Sequence, residues 1–216
     1  MNIYLIPGLG ADKRMYAPQL QIFPEAQVLE HLPPRKSESL RDYAARLAPS
    51  IDNSQPFVLV GTSLGGMISV ELSRIVNPTK IVLIASVKSR SEMPYFIRSM
   101  KYLRLHKPIK GDFYKKFNSL LVKRLDSRRD SAVAELIRQM TVDASSEFIE
   151  WAIDAVIHWQ PPTEITTDIV HIHGTKDALF PISKVKNVIP VVNGSHVMNL
   201  TMSSEVNKIL REVVYL

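Results

Sequence analysis

The sequence predicts an α/β fold, with a mostly parallel six-stranded sheet flanked by helices and a helical insertion after the fourth strand. Three observations lead there. Short β-branched apolar runs alternate with longer stretches whose apolar residues recur at helical spacing. Most of the short runs are apolar throughout, as strands covered on both faces must be. Finally, 216 residues that are 45% hydrophobic and 22% charged match ordinary globular usage and can bury a sizeable core, which excludes disordered and collagen-like chains.

The strand-like runs fall at 3–6, 27–32, 57–60, 80–85, 169–173 and 187–192. Leu40, Tyr43, Ala44, Leu47 and Ile51 mark a helix after Ser37 and Ser39, either of which can cap it. A second helix runs over about 64–76 and is stopped by Asn77-Pro78. The last covers about 203–215, with Val206, Ile209, Leu210 and Val213 as its apolar stripe. Residues 1–86 and 162–216 form the predicted core.

Residues 87–161 break the alternation and read as several short amphipathic helices, a lid inserted over the sheet. Met93, Phe96, Ile97 and Met100 make one stripe; Phe113, Phe117, Leu120 and Leu121 a second; Phe148, Trp151, Ala152 and Ala155 a third. Met93, Phe96, Met100, Phe117, Phe148 and Trp151 are the candidates for shaping a substrate pocket, although such stripes are more often core.

Charge and composition narrow the chemistry. The chain carries +6, but residues 88–138 alone hold 14 Lys and Arg against five Asp and Glu, a net of +9, so the remainder stands at −3. A basic helical face is ordinarily a solvated one; the sharper alternative is attraction of an anionic substrate. No nucleic-acid motif interleaves these charges with aromatics, so nucleic acid is not an expected partner. The chain has no cysteine, which excludes thiol nucleophiles, disulfide frameworks and Cys-ligated metals and fits a cytoplasmic location. No apolar run approaches the roughly 18 residues needed to span a bilayer. The opening MNIYLIPGLGADK lacks a basic n-region and reads as a first strand, not a signal peptide. Nothing in the sequence speaks to oligomeric state.

Gly61-Thr62-Ser63-Leu64-Gly65 follows an apolar strand and opens a helix, the strand, G-x-S-x-G, helix order of a nucleophile elbow. Glycine flanks the serine because a Cβ there would collide with the neighbouring strand and helix. The Leu64 N–H, at a helix N-terminus, suits a developing negative charge. A serine hydroxyl needs a base, and His196, in a Gly-containing loop after the last strand run, is the candidate among six histidines. His171 and His173 share one strand face and read as packed residues ahead of a metal pair, since no third ligand has suitable spacing; His31, His106 and His158 read as packing or surface residues. The imidazole needs a carboxylate. Asp177 follows the fifth strand run, whereas Asp168 precedes it and Glu71 and Asp112 lie in helices. Pro7-Gly8-Leu9-Gly10 follows the first strand and offers the Leu9 N–H as a second oxyanion donor. Lys13 stands where a dinucleotide fingerprint would need glycine, and no phosphate loop is present. Seven of the eight glycines lie in these four loops, at the strand ends where α/β sheets build their sites.

These motifs resemble the α/β-hydrolase superfamily over nearly the whole chain outside the lid. Ser63 in Gly-Thr-Ser-Leu-Gly-Gly matches its nucleophile, Asp177 in His-Gly-Thr-Lys-Asp its acid, His196 in Gly-Ser-His its base and Leu9 its first oxyanion donor, in the superfamily's order Ser, Asp, His. Two departures stand out. Pro7-Gly8 replaces the usual His-Gly, which alters hydrogen bonding around that loop, and the chain starts at what corresponds to the third strand, leaving six strands of the usual eight. The resemblance implies serine-dependent acyl transfer from a small-molecule ester, without cofactor or metal. Alternatives on the same fold are a thioesterase or acyltransferase using the basic lid, for instance on a coenzyme A thioester, and a non-catalytic ligand-binding protein.

Overall fold

Six strands, β1 (Asn2–Ile6), β2 (Gln27–Val28), β3 (Phe57–Thr62), β4 (Lys80–Ile84), β5 (Asp168–Gly174) and β6 (Ile189–Val191), form one sheet in the computed structural model, ordered β2-β1-β3-β4-β5-β6. All pairings are parallel. The structure describes residues 1–103, 115 and 131–215. Its longer helices are α1 (Leu40–Leu47), α2 (Leu64–Val76), α3 (Tyr95–Leu103), α4 (Ser131–Asp143), α5 (Ser146–His158) and α6 (Ser203–Val214).

Successive side chains of the central strands enter opposite cores, which is why these runs are apolar throughout. Tyr4, Ile6, Leu59, Ile81 and Leu83 pack with Tyr43 and Leu47 of α1, Met67 and Ile68 of α2 and Phe148 and Ala152 of α5. Ile3, Leu5, Val58, Val60, Val82 and Ile84 pack with Tyr16, Phe23 and the Val206, Leu210 and Val214 stripe of α6. Burying side chains of this size stabilises by about 1.5–3 kcal/mol each.

Three boundaries differ from the sequence reading. The second strand ends at Val28, not residue 32: Leu29 N–H still donates to Leu5 O at 2.9 Å, but Pro33 and Pro34 soon follow and have no N–H for a ladder. The first long helix stops at Leu47 and tightens into a 3-10 turn, Ala48–Ser50, around Pro49. Its cap is Ser39, whose side chain accepts from Asp42 N–H, whereas Ser37 lies outside. Helical turns at Lys13–Tyr16, Ala17–Leu20 and Met198–Thr201 are additional; four-residue turns leave too short a period to read.

Between β4 and β5, α3 packs on α5 and α5 reaches α1, where the Tyr43 and Trp151 rings lie 4.3 Å apart. The stripe of Phe113, Phe117, Leu120 and Leu121 lies outside the described residues. No described helix is long and apolar enough to cross a membrane.

Candidate active site

β3 hands over to α2 at Ser63, whose backbone sits at φ 52°, ψ −116°. A non-glycine residue there costs on the order of 1–3 kcal/mol and persists only where its surroundings over-determine it. They do: Ser63 N–H donates to Ile84 O at 3.0 Å, and the Ser86 hydroxyl donates to Ser63 O at 2.7 Å. Both partners stand at the carboxyl end of β4, the strand next to β3. A Cβ on Gly61 would fall on the Gly65 carbonyl, and one on Gly65 would fall on the Ile6 carbonyl, so glycine is what lets the turn close against both α2 and β1. From below, the fully buried Tyr16 hydroxyl meets Ile6 O at 2.9 Å and Thr62 Oγ1 at 2.8 Å, tying the ends of β1 and β3 together.

The loops after β5 and β6 bring Asp177 and His196 to the same rim. A Cβ on Gly174 would strike the Gly194 carbonyl, so these loops meet backbone to backbone, and Lys176 N–H donates to Gly194 O at 2.8 Å. On them, His196 Nδ1 lies 2.9 Å from Asp177 Oδ2, and His196 Nε2 lies 3.0 Å from Ser63 Oγ. A carboxylate only accepts, so Nδ1 carries the proton and Nε2 is free to accept from the serine hydroxyl. Asp177 Oδ1 accepts from the Leu179 and Phe180 N–H groups at 2.9 and 2.8 Å. Burial pushes the Asp177 carboxyl up, but His196 beside it, its hydrogen bond and the Phe180 amide outweigh that, and its pKa is lowered.

His173 lies 3.6 Å from Asp177 Oδ2. Burial lowers the pKa of His173, and that of His171 to about 3. His173 donates through Nε2 to Phe180 O at 2.7 Å and through Nδ1 meets His171 Nε2 at 3.2 Å. The pair is therefore packed and hydrogen-bonded, and among the described residues no three His, Asp or Glu side chains cluster as a metal would require. Asp168 opens β5 at the opposite edge, 3.9 Å from Lys80.

The Pro7-Gly8-Leu9-Gly10 loop abuts the elbow: a Cβ on Gly8 would come 3.5 Å from that of Ser63. Leu64 opens α2, where the first backbone N–H groups have no partner within the helix. Beside this loop lies a cavity of about 330 Å³ lined by Gly10, Ala11, His31, Leu32, Met140 and Phe148, together with acidic side chains. Of the pocket candidates, Phe148 faces this cavity. Met93 is buried in the core, Met100 packs partly against it, Phe96 is 55% exposed, and Trp151 donates its Nε1–H to Glu38 O. Phe117 lies outside the described residues.

The family model of the alpha/beta hydrolase family matches residues 3–209. The chain belongs to this family. No curated protein matches the sequence. Among solved structures, the chain is similar to a thermophilic esterase from Thermogutta terrifontis (18% identity, TM-score 0.79, 98% of this chain and 88% of that one). It is also similar to Est816, described as an N-acyl homoserine lactone degrading enzyme (17%, 0.77, 99% and 93%). A third is the enol-lactonase from Burkholderia xenovorans LB400 (18%, 0.77, 98% and 90%). At such identities the likeness is one of fold.

Sequence reasoning missed Ser86, Tyr16 and the hydrogen bonds of His31. Ser86 carried a usable signal: it directly follows the strand run at 80–85, which pairs with the strand leading to Ser63.

Proposed function

We propose that this family member is a serine hydrolase of carboxylic esters, with Ser63 as nucleophile, His196 as base and Asp177 as orienting acid. The observation that carries the reading is the unbroken line from Ser63 Oγ through the His196 ring to Asp177, at 3.0 and 2.9 Å. The esterase and lactonase neighbours favour the same class, since a lactone is a cyclic ester. In this reading residues 87–161 form a helical lid over the sheet.

As Ser63 Oγ attacks the carbonyl carbon, its proton passes to His196 Nε2, and Asp177 stabilises the imidazolium. The carbonyl oxygen becomes an oxyanion, and the Leu9 and Leu64 N–H groups answer its charge, helped by the N-terminus of α2. Collapse of the tetrahedral intermediate breaks the bond to the alcohol oxygen, which takes the proton from Nε2 and leaves. Water then attacks the acyl-serine, gives its proton to His196, and a second collapse frees the acid and restores Ser63.

A fluorophosphonate probe with peptide mapping tests this. Labelling of Ser63 that vanishes in Ser63→Ala, together with turnover of p-nitrophenyl esters, is the expected result. A folded protein that neither labels at Ser63 nor turns over esters overturns the reading in favour of a ligand-binding role.

A further inference from the structure

We propose that His31 is a positioning residue for this reaction: it holds the Gly8–Leu9 peptide so that the Leu9 N–H faces the reacting carbonyl. The inference rests on the hydrolase reading and adds to it a residue outside the triad and the donors themselves.

His31 Nε2 lies 3.2 Å from Gly8 O. A carbonyl only accepts, so the ring must donate from Nε2. The Gly8 carbonyl and the Leu9 N–H belong to one trans peptide plane and point in opposite directions; whatever grips the oxygen aims the N–H. Gly8 O also accepts from Ala11 N–H at 3.2 Å, but that bond lies within the loop and moves with it. His31 comes from the chain beyond β2, 23 residues away, and ties the peptide to the rest of the molecule. The tie matters because Gly8 has no side chain to restrain rotation of the plane about its own ψ.

The ring is held in turn. It lies over Phe148, with centroids 4.4 Å apart and planes at 30°, and its Nδ1 faces the Tyr43 hydroxyl at 3.5 Å. That hydroxyl is anchored by Leu32 N–H at 2.8 Å. Burial lowers the His31 pKa to about 4, so near neutral pH the ring keeps one proton, on the nitrogen facing Gly8.

Two substitutions separate aiming from packing. His31→Phe keeps a flat ring against Phe148 but has no donor; His31→Gln places an amide N–H near the position of Nε2. Expected in ester turnover is a fall in kcat of about 10- to 100-fold for His31→Phe, somewhat less than the usual loss of a whole oxyanion donor, with KM nearly unchanged. His31→Gln should recover most of it. Affinity for a trifluoromethyl ketone, which forms the oxyanion on Ser63, should fall and recover in step. Melting curves confirm that each variant is folded. If His31→Phe turns over like the parent, or folded His31→Gln is as slow as His31→Phe while parental Ser63 still labels, the ring only packs and the proposal fails. A parent that neither labels nor turns over fails the hydrolase reading first, and this inference with it.

Discussion

At the scale of single residues, the site is a matter of who may accept and who must donate. Asp177 takes one hydrogen bond from His196 and two from backbone amides, so Asp177→Asn keeps the volume but puts an amide where the imidazole needs a carboxylate. The ring then loses the partner that holds the proton on Nδ1, and kcat/KM for an ester should fall about 10³- to 10⁴-fold. Steady-state kinetics check this, with fluorophosphonate labelling slowed in parallel. The same residue sets a pH dependence. Its folded pKa lies below the unfolded value near 3.8, so its contribution to stability is present above that value and is lost as pH falls through the folded pKa. Below pH 4 the parent's melting temperature should fall more steeply than that of Asp177→Asn. Ser63, Asp177 and His196 could be placed on one rim from sequence because each sits in a glycine-bearing loop after an apolar strand. Tyr16 and His31 could not, because their roles are bonds to backbone atoms 10 to 44 residues away, and no periodicity encodes those.

Secondary-structure elements convert these residues into a site by meeting at closest approach. The strands were legible because a run such as Phe57-Val58-Leu59-Val60 is apolar on both faces, and α2 because Asn77-Pro78 ends it; Asn77 adopts the left-handed conformation at the cap. Less legible was the length of β2, where the strand-like run through Leu32 continues but its strand pairing ends at Val28. The junction of the loops after β5 and β6 carries a prediction of its own. Gly174 meets the Gly194 carbonyl with no room for a methyl group, so Gly174→Ala must push the two loops apart, and with them Asp177 and His196. An overpacked contact of this kind costs about 1–3 kcal/mol, which for a chain of this size lowers the melting temperature by roughly 2–10 °C. Ester turnover should drop by more than that loss of folded protein explains at a temperature where both proteins are folded. Calorimetry and kinetics on the same preparation check it, and an equally stable, fully active variant would mean that the loops adjust independently.

On the scale of the whole molecule, charge is distributed unevenly: residues 88–138 hold a net +9 in a chain of net +6. A field of that kind can steer an anionic substrate only if it reaches the site unscreened. Among the described cations of this segment, Arg138 is paired with Glu135 and Lys88 lies 3.7 Å from Glu92. The cavity beside the Pro7-Gly8-Leu9-Gly10 loop is lined in part by Asp12, Glu30, Asp143 and Glu147, with Arg14 offsetting Asp12 and Asp143. The carboxylates beside the cavity disfavour an anion there, so an uncharged ester is the substrate expected to fit it best. Raising salt shortens the screening length from about 30 Å at 0.01 M to about 3 Å at 1 M, which removes long-range attraction between charges. The expected outcome is that kcat/KM for a neutral p-nitrophenyl ester stays within about twofold across that range, and that a carboxylate-bearing ester or a coenzyme A thioester gains no advantage over it at low salt. A steep fall with salt for the anionic substrate alone would establish steering by the basic segment and move the assignment from simple esters to anionic acyl donors.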